Sequence, residues 1–181
     1  MMQGPPDLDE QVIGSNSLIP AGAEASKVLD TFASWLIGGF GATLAFLISS
    51  KEAHAWMSAD ALPKAGKVFW IALALTVVQK YLAALLASIA AGQASARKAV
   101  EDQRVLRGEH FKFEPQAFFA QMRSALPGMS VILGGFFVRA VADGDLMVAA
   151  RWAMRLLYSQ GLCVLGVATL LLKAAWVIAW R

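Results

Sequence analysis

Cysteine and histidine are scarce in this chain: one cysteine, Cys163, and two histidines, His54 and His110, among 181 residues. A single cysteine excludes an intrachain disulfide, a dithiol redox motif and a multi-cysteine metal site. Cys163 lies inside an apolar run and reads as a small packing residue. Both histidines fall in connecting segments, which excludes the usual haem-binding bundle with ligands at membrane depth. Charge is scarce too: 16% of residues are charged and 57% hydrophobic, against about 25% and about 45–50% in an ordinary soluble domain. All thirteen acids lie outside the apolar cores, so a carrier that couples transport to protons or cations through an intramembrane carboxylate is not expected. No Walker loop, dinucleotide fingerprint or zinc-protease helix occurs. The expectation is a protein without cofactor or metal that is not an enzyme.

What the chain does contain is long apolar sequence. A bilayer crossing needs about 20 mostly apolar residues, and residues 31–50, 67–91, 125–142 and 156–178 qualify or come close. The fold class read from this is all-α: a polytopic, four-transmembrane-helix bundle. The third span is the weakest, because it is short, contains Pro127-Gly128, and ends in Arg139 and Asp143-Gly144-Asp145. Residues 1–27 carry Asp7, Asp9, Glu10 and Glu24 with prolines and glycines. They lack the basic and apolar regions of a signal peptide and read as a disordered or loosely attached tail.

The formal charge of +3 is spread between the apolar segments, which points to topology rather than to nucleic acid, and no nucleic-acid partner is expected. With four spans, Lys27, Arg97, Lys98, Arg104, Arg107, Lys112, Arg123, Lys173 and Arg181 fall on one side. Lys51, Lys64, Lys67, Arg139, Arg151 and Arg155 fall on the other. The positive-inside rule then places both termini in the cytoplasm, with a bacterial inner membrane as the expected setting. Trp35, Trp176 and Trp180 near one set of ends, and Trp56, Trp70 and Trp152 near the other, fit aromatic belts at both faces.

The connection between the second and third spans is the most charged part of the chain. Arg97 with Glu101 and Lys98 with Asp102 form opposite-charge pairs four residues apart, so the second helix is expected to continue beyond the lipid to about Arg107. Residues 93–124 read as a cytoplasmic helical hairpin. Phe111, Phe113, Phe118 and Phe119 within it form a candidate docking surface for a cytosolic or membrane protein partner, and otherwise pack on the hairpin or the lipid surface. The acids Glu101, Asp102, Glu109 and Glu114 balance its basic residues, which argues against phosphate binding.

Small residues at four-residue spacing let membrane helices approach closely. Gly38 with Ala42, Gly41 with Ala45, and Ala83 with Ala87 are the candidate packing positions, within the bundle or between copies. The polar residues inside the spans are few. Gln79 and Lys80 interrupt the second span, Ser88 follows them, and Gln160 lies in the fourth. With no carboxylate inside a span to neutralise Lys80, these four residues are the candidates for lining a pore or meeting another subunit, with snorkelling as the plainer fate of Lys80. The functional expectation is a homo-oligomer in the lipid bilayer with pore-type or membrane-permeabilising activity. The alternative is an anchor or scaffold that presents the hairpin to partners.

Overall fold

The computed structural model describes residues 8–52, 60–107 and 147–179. They form three α-helices: α1, Leu8–Ser49; α2, Ala61–Arg107; and α3, Val148–Ala179. Each is long and apolar enough to cross a membrane. The protein is therefore an all-α integral membrane protein, and the expected four-helix bundle is corrected to three long apolar helices among the described residues. The expected span 125–142 lies outside the described residues, as does the part of the hairpin from residue 108 to residue 124.

Two further expectations change. The segment 8–27, expected as a loose tail, belongs to a continuous 42-residue α1 that accommodates Pro20 internally. Its composition is poor in large apolar residues, but as a cooperative extension of a long helix it adds backbone hydrogen bonds without a new nucleation step. The second helix does run to Arg107, and it starts earlier than the apolar window, at Ala61. Asp60 precedes it, with its carbonyl accepting the Lys64 amide at 3.2 Å, and Pro63 sits in the first turn, where a missing N–H costs nothing.

The chain divides into two compact units. Unit 1 comprises residues 1–23 and 87–155, and unit 2 comprises residues 24–86 and 156–181. In unit 1, Gln93 of α2 donates to Asn16 of α1 at 3.3 Å, and Met147 lies against Gly14, where an added Cβ would meet its sulfur at 3.4 Å.

Unit 2 is built on a seven-residue rhythm. Ala65, Ala72, Gln79 and Leu86 of α2 are buried, as are Gln160, Val167 and Ala174 of α3 and Ser26 and Ala33 of α1. A repeat of seven keeps one seam of each helix facing its neighbours, as in left-handed coiled coils. Two apolar clusters fill the seam. Ala72, Val167 and Leu171 pack with Leu36, Ile37 and Leu75. Leu44, Ala65 and Ala174 pack with Leu62, Val68 and Ile178. Phe40 and Phe69 belong to both clusters, and their rings stack at 5.9 Å. Because Gln160 meets Ser26 while Ala174 clusters with Leu44, α3 runs in the same direction as α1, and α2 runs opposite to both.

The tightest approach is at Gly166, where a Cβ would lie 2.7 Å from Leu75 Cδ2. The atom it meets is the end of a flexible side chain, so one methyl displaces a rotamer whereas a branched side chain meets the helix behind it. We expect Gly166→Ala to cost about 1 kcal/mol and Gly166→Leu about 3 kcal/mol or more. Thermal unfolding in detergent should order the variants wild type, alanine, leucine. Equal melting temperatures for all three would mean that α2 and α3 are not in contact there.

Candidate functional site

Polar side chains of unit 2 gather at one level in and beside the seam, where α1 supplies Ser26, Asp30 and Ser34, α2 supplies Gln79 and Lys80, and α3 supplies Gln160. Lys80 is not left without a counter-charge. Its ammonium lies 2.8 Å from the Asp30 carboxylate and donates to the Ser34 hydroxyl at 2.8 Å. That hydroxyl in turn donates to the Asp30 backbone carbonyl at 2.8 Å, so Lys80 is tied to the Asp30 carboxylate and to a hydroxyl that is itself fixed on the α1 backbone. The pair is half-buried, with side-chain exposure of 47% for Lys80 and 32% for Asp30.

The expectation that no carboxylate reaches Lys80 is thereby overturned. Asp30 stands one residue before the apolar window, and its helix carries it to the level of Lys80 because α1 and α2 are antiparallel. The signal was present in the sequence as Asp30 and Ser34, four residues apart and so on one face of a helix. What the sequence did not supply was the register between the helices.

The two glutamines turn inward. Gln79 and Gln160 are both fully buried. Gln79 Nε2 approaches Asp30 Oδ1 at 3.4 Å, and Gln160 Nε2 donates to the Ser26 carbonyl at 3.1 Å. Each amide orientation follows from its partner, since both partners are pure acceptors and only the NH2 end can face them. The Oε1 atoms of both side chains have no hydrogen-bond partner among the described residues. Thr76, one turn from Gln79 and also buried, satisfies its hydroxyl on the Ala72 carbonyl of its own helix at 2.9 Å. Threonine and serine commonly meet their hydrogen-bonding needs this way in apolar surroundings.

Of the four residues read as pore-lining, Gln79, Lys80 and Gln160 are thus brought to one level of unit 2. Ser88 is exposed on the part of α2 in unit 1. The small-residue positions divide. Gly41 packs against Phe69, 3.4 Å from an added Cβ, and Ala83 is half-buried, while Gly38, Ala42, Ala45 and Ala87 are exposed. The alanines that do line the seam, Ala33, Ala65, Ala72 and Ala174, follow the seven-residue repeat. Phe111, Phe113, Phe118 and Phe119 lie outside the described residues. Among the described residues, no three His, Cys, Asp or Glu side chains cluster as a metal site would require. No protein family, curated protein or solved structure matches the chain.

The polar level can hold helices in register, because sliding any one of them by a turn would leave a charge or an amide facing apolar side chains. Removing one charge should cost more than removing both. Asp30→Asn and Lys80→Met are each expected to destabilise by about 1–2 kcal/mol, below the 3–5 kcal/mol of a fully buried pair because this one is half exposed. The double variant should recover most of that loss in a thermal-melting cycle. Strict additivity of the two single effects would show that the pair is not coupled.

Proposed function

We propose that the chain is a non-enzymatic membrane anchor, whose unit 2 is held in the bilayer and whose α2 extension, Gln93–Arg107, is presented to partner proteins. The observation that carries this reading is the neutralisation of Lys80 by Asp30, together with the inward turn of Gln79 and Gln160. A pore needs polar groups on a surface that can face a water-filled lumen. Here the two amides are in the core of a single chain, and the Lys80 ammonium is already paired with Asp30. The anchor reading also draws on the surface of the extension: residues 101–106 are all exposed, and Val105 and Leu106 stand out from a charged helix with 80% and 77% exposure.

The helix directions support an orientation. Since α3 runs parallel to α1, the basic residues near the start of α1, the end of α2 and the start of α3 belong together: Lys27, Arg97, Lys98, Arg104, Arg107, Arg151 and Arg155. They outnumber Lys51, Lys64, Lys67 and Lys173 near the opposite ends. By the positive-inside rule the N-terminal end of α1 and the extension of α2 are cytoplasmic, in a bacterial inner membrane. The C-terminal end of α3 is then on the opposite side, in place of the shared side that four spans would give. Exposed Gly38, Ala42 and Ala45 on α1 leave room for self-association, so the anchor is proposed as a homo-oligomer.

Purified protein in liposomes tests the choice between anchor and pore. The anchor predicts no release of an entrapped dye and no chloride conductance above protein-free vesicles, for wild type and Lys80→Leu alike. Steady conductance that Lys80→Leu reduces or shifts in ion preference would replace the anchor with an oligomeric pore.

A further inference from the structure

The three helices of unit 2 agree on a length. From Asp30 to the end of α1 at Ser49, from the start of α2 at Ala61 to Lys80, and from Gln160 to the end of α3 at Ala179, each helix climbs nineteen residue steps, about 29 Å at 1.5 Å per residue. The hydrocarbon core of a bilayer is about 30 Å thick. On α1 and α2 the polar level and the helix ends thus lie one membrane thickness apart, and α3 is helical over the same length, to its last described residue.

The surface says the same. The exposed large apolar side chains of unit 2 run from Val28 to Ile48 on α1, from Trp70 to Tyr81 on α2 and from Tyr158 to Trp176 on α3. Both tyrosines of the chain, Tyr81 and Tyr158, stand beside Lys80 and Gln160 at the polar level, each exposed. This is the headgroup position that amphipathic rings prefer. Exposed ion pairs mark both margins: Lys27 with Glu24 at 2.6 Å, one turn outside Asp30, and Lys64 with Asp60 at 3.6 Å, at the start of α2. Lys67 and Lys173 are exposed about 9 Å inside the second margin, within reach of the headgroups for a snorkelling lysine stem.

Unit 1 has a different surface. On α2 its exposed positions from Ala87 to Ala99 are alanine, serine, glycine, arginine and lysine. Among its described residues the exposed large apolar side chains are few: Ile13, Leu18, Val105, Leu106 and Trp152. The leucines that make "YLAALLASIAAG" look like a membrane span close unit 2 just before this segment, and they turn from the surface: Leu86 is fully buried and Leu82 and Leu85 are half-buried.

We propose that, among the described residues, the lipid acyl chains cover only those of unit 2, between the level of Asp30, Lys80 and Gln160 and the far ends of the helices, and that the charged level is a headgroup rim rather than a mid-membrane site. The apolar run of α2 beyond Lys80 then stands in water as part of a helical stem. This rests on the membrane-protein assignment and not on the anchor reading, since it holds whether or not the chain conducts.

Single spin labels in a Cys163→Ser background, in vesicles of three parts phosphatidylcholine to one part phosphatidylglycerol, separate the two placements. Cys163 is half-buried and unpaired, so a matched Cys163→Ala background controls for the replacement. Labels at Phe32, Val77 and Leu165 should be accessible to oxygen and shielded from an aqueous nickel chelate. Labels at Ala87 and Ala91, both exposed, should be several-fold more accessible to the chelate than Val77. Oxygen-rich, nickel-shielded signals at Ala87 and Ala91 would overturn the proposal and put Lys80 deep in the bilayer. Shielding from both reagents at Phe32, Val77 and Leu165 would overturn it in another way, by showing a protein cover in place of lipid. The leakage assay is unaffected by either outcome, so failure of this placement and failure of the anchor reading are distinguishable.

Discussion

The ion pair between Lys80 and Asp30 organises the account of this protein. A lysine in an apolar helix is costly wherever water and headgroups are out of reach, and two features of the fold lower that cost. The antiparallel pairing of α1 and α2 brings a carboxylate to 2.8 Å, and the neighbouring Ser34 hydroxyl accepts a second ammonium hydrogen. Around the pair, Gln79 and Gln160 fix both neighbouring helices to the same turn of α1 through Asp30 and the Ser26 carbonyl. Apart from Thr76, which bonds within its own helix, the rest of the seam is alanine, valine, leucine, isoleucine and phenylalanine, which pack well but say little about register. Specificity in unit 2 therefore rests on one polar level.

The same level explains why the chain has two surfaces on three continuous helices. On one side of it, aromatic and branched side chains face outward from Val28 to Ile48 and at the corresponding positions of α2 and α3. On the α2 segment of unit 1, alanine, serine and charged residues face outward from 87 to 99, and the leucines just before it, Leu82, Leu85 and Leu86, are half-buried or buried. A mean over a window cannot tell an outward leucine from an inward one, so hydropathy alone runs the span of α2 on to residue 91. Burial separates the two cases, because acyl chains solvate an outward leucine and protein solvates an inward one.

The parts of this arrangement that were legible in sequence are the ones governed by local rules. The apolar windows of α1, α2 and α3 and the continuation of α2 to Arg107 follow from composition and from opposite-charge pairs four residues apart. Gln79, Lys80 and Gln160 stood out because polar side chains in apolar runs are rare. What sequence did not carry was the relation between helices. The four-residue spacing of Gly38 and Ala42 suggested a packing face, yet the buried face follows the seven-residue positions Ser26, Ala33, Ala65, Ala72 and Ala174, since three helices supercoiling together select a repeat near 3.5 residues per turn. Asp30 escaped notice for a related reason: it lies outside the span when α1 is read by itself, and becomes the partner of Lys80 only once α2 is laid beside it.

The central claim is that Lys80 is neutralised by Asp30 within a single packed level. The most direct measurement is the dipolar coupling between a carbon-13-labelled Asp30 carboxyl and the nitrogen-15-labelled Lys80 ammonium, by solid-state magnetic resonance in lipid bilayers. The account predicts a strong coupling, corresponding to the 2.8 Å nitrogen-to-oxygen contact, that vanishes in Asp30→Asn with the label on the amide carbon. A wild-type sample with no measurable coupling between the two groups would contradict it.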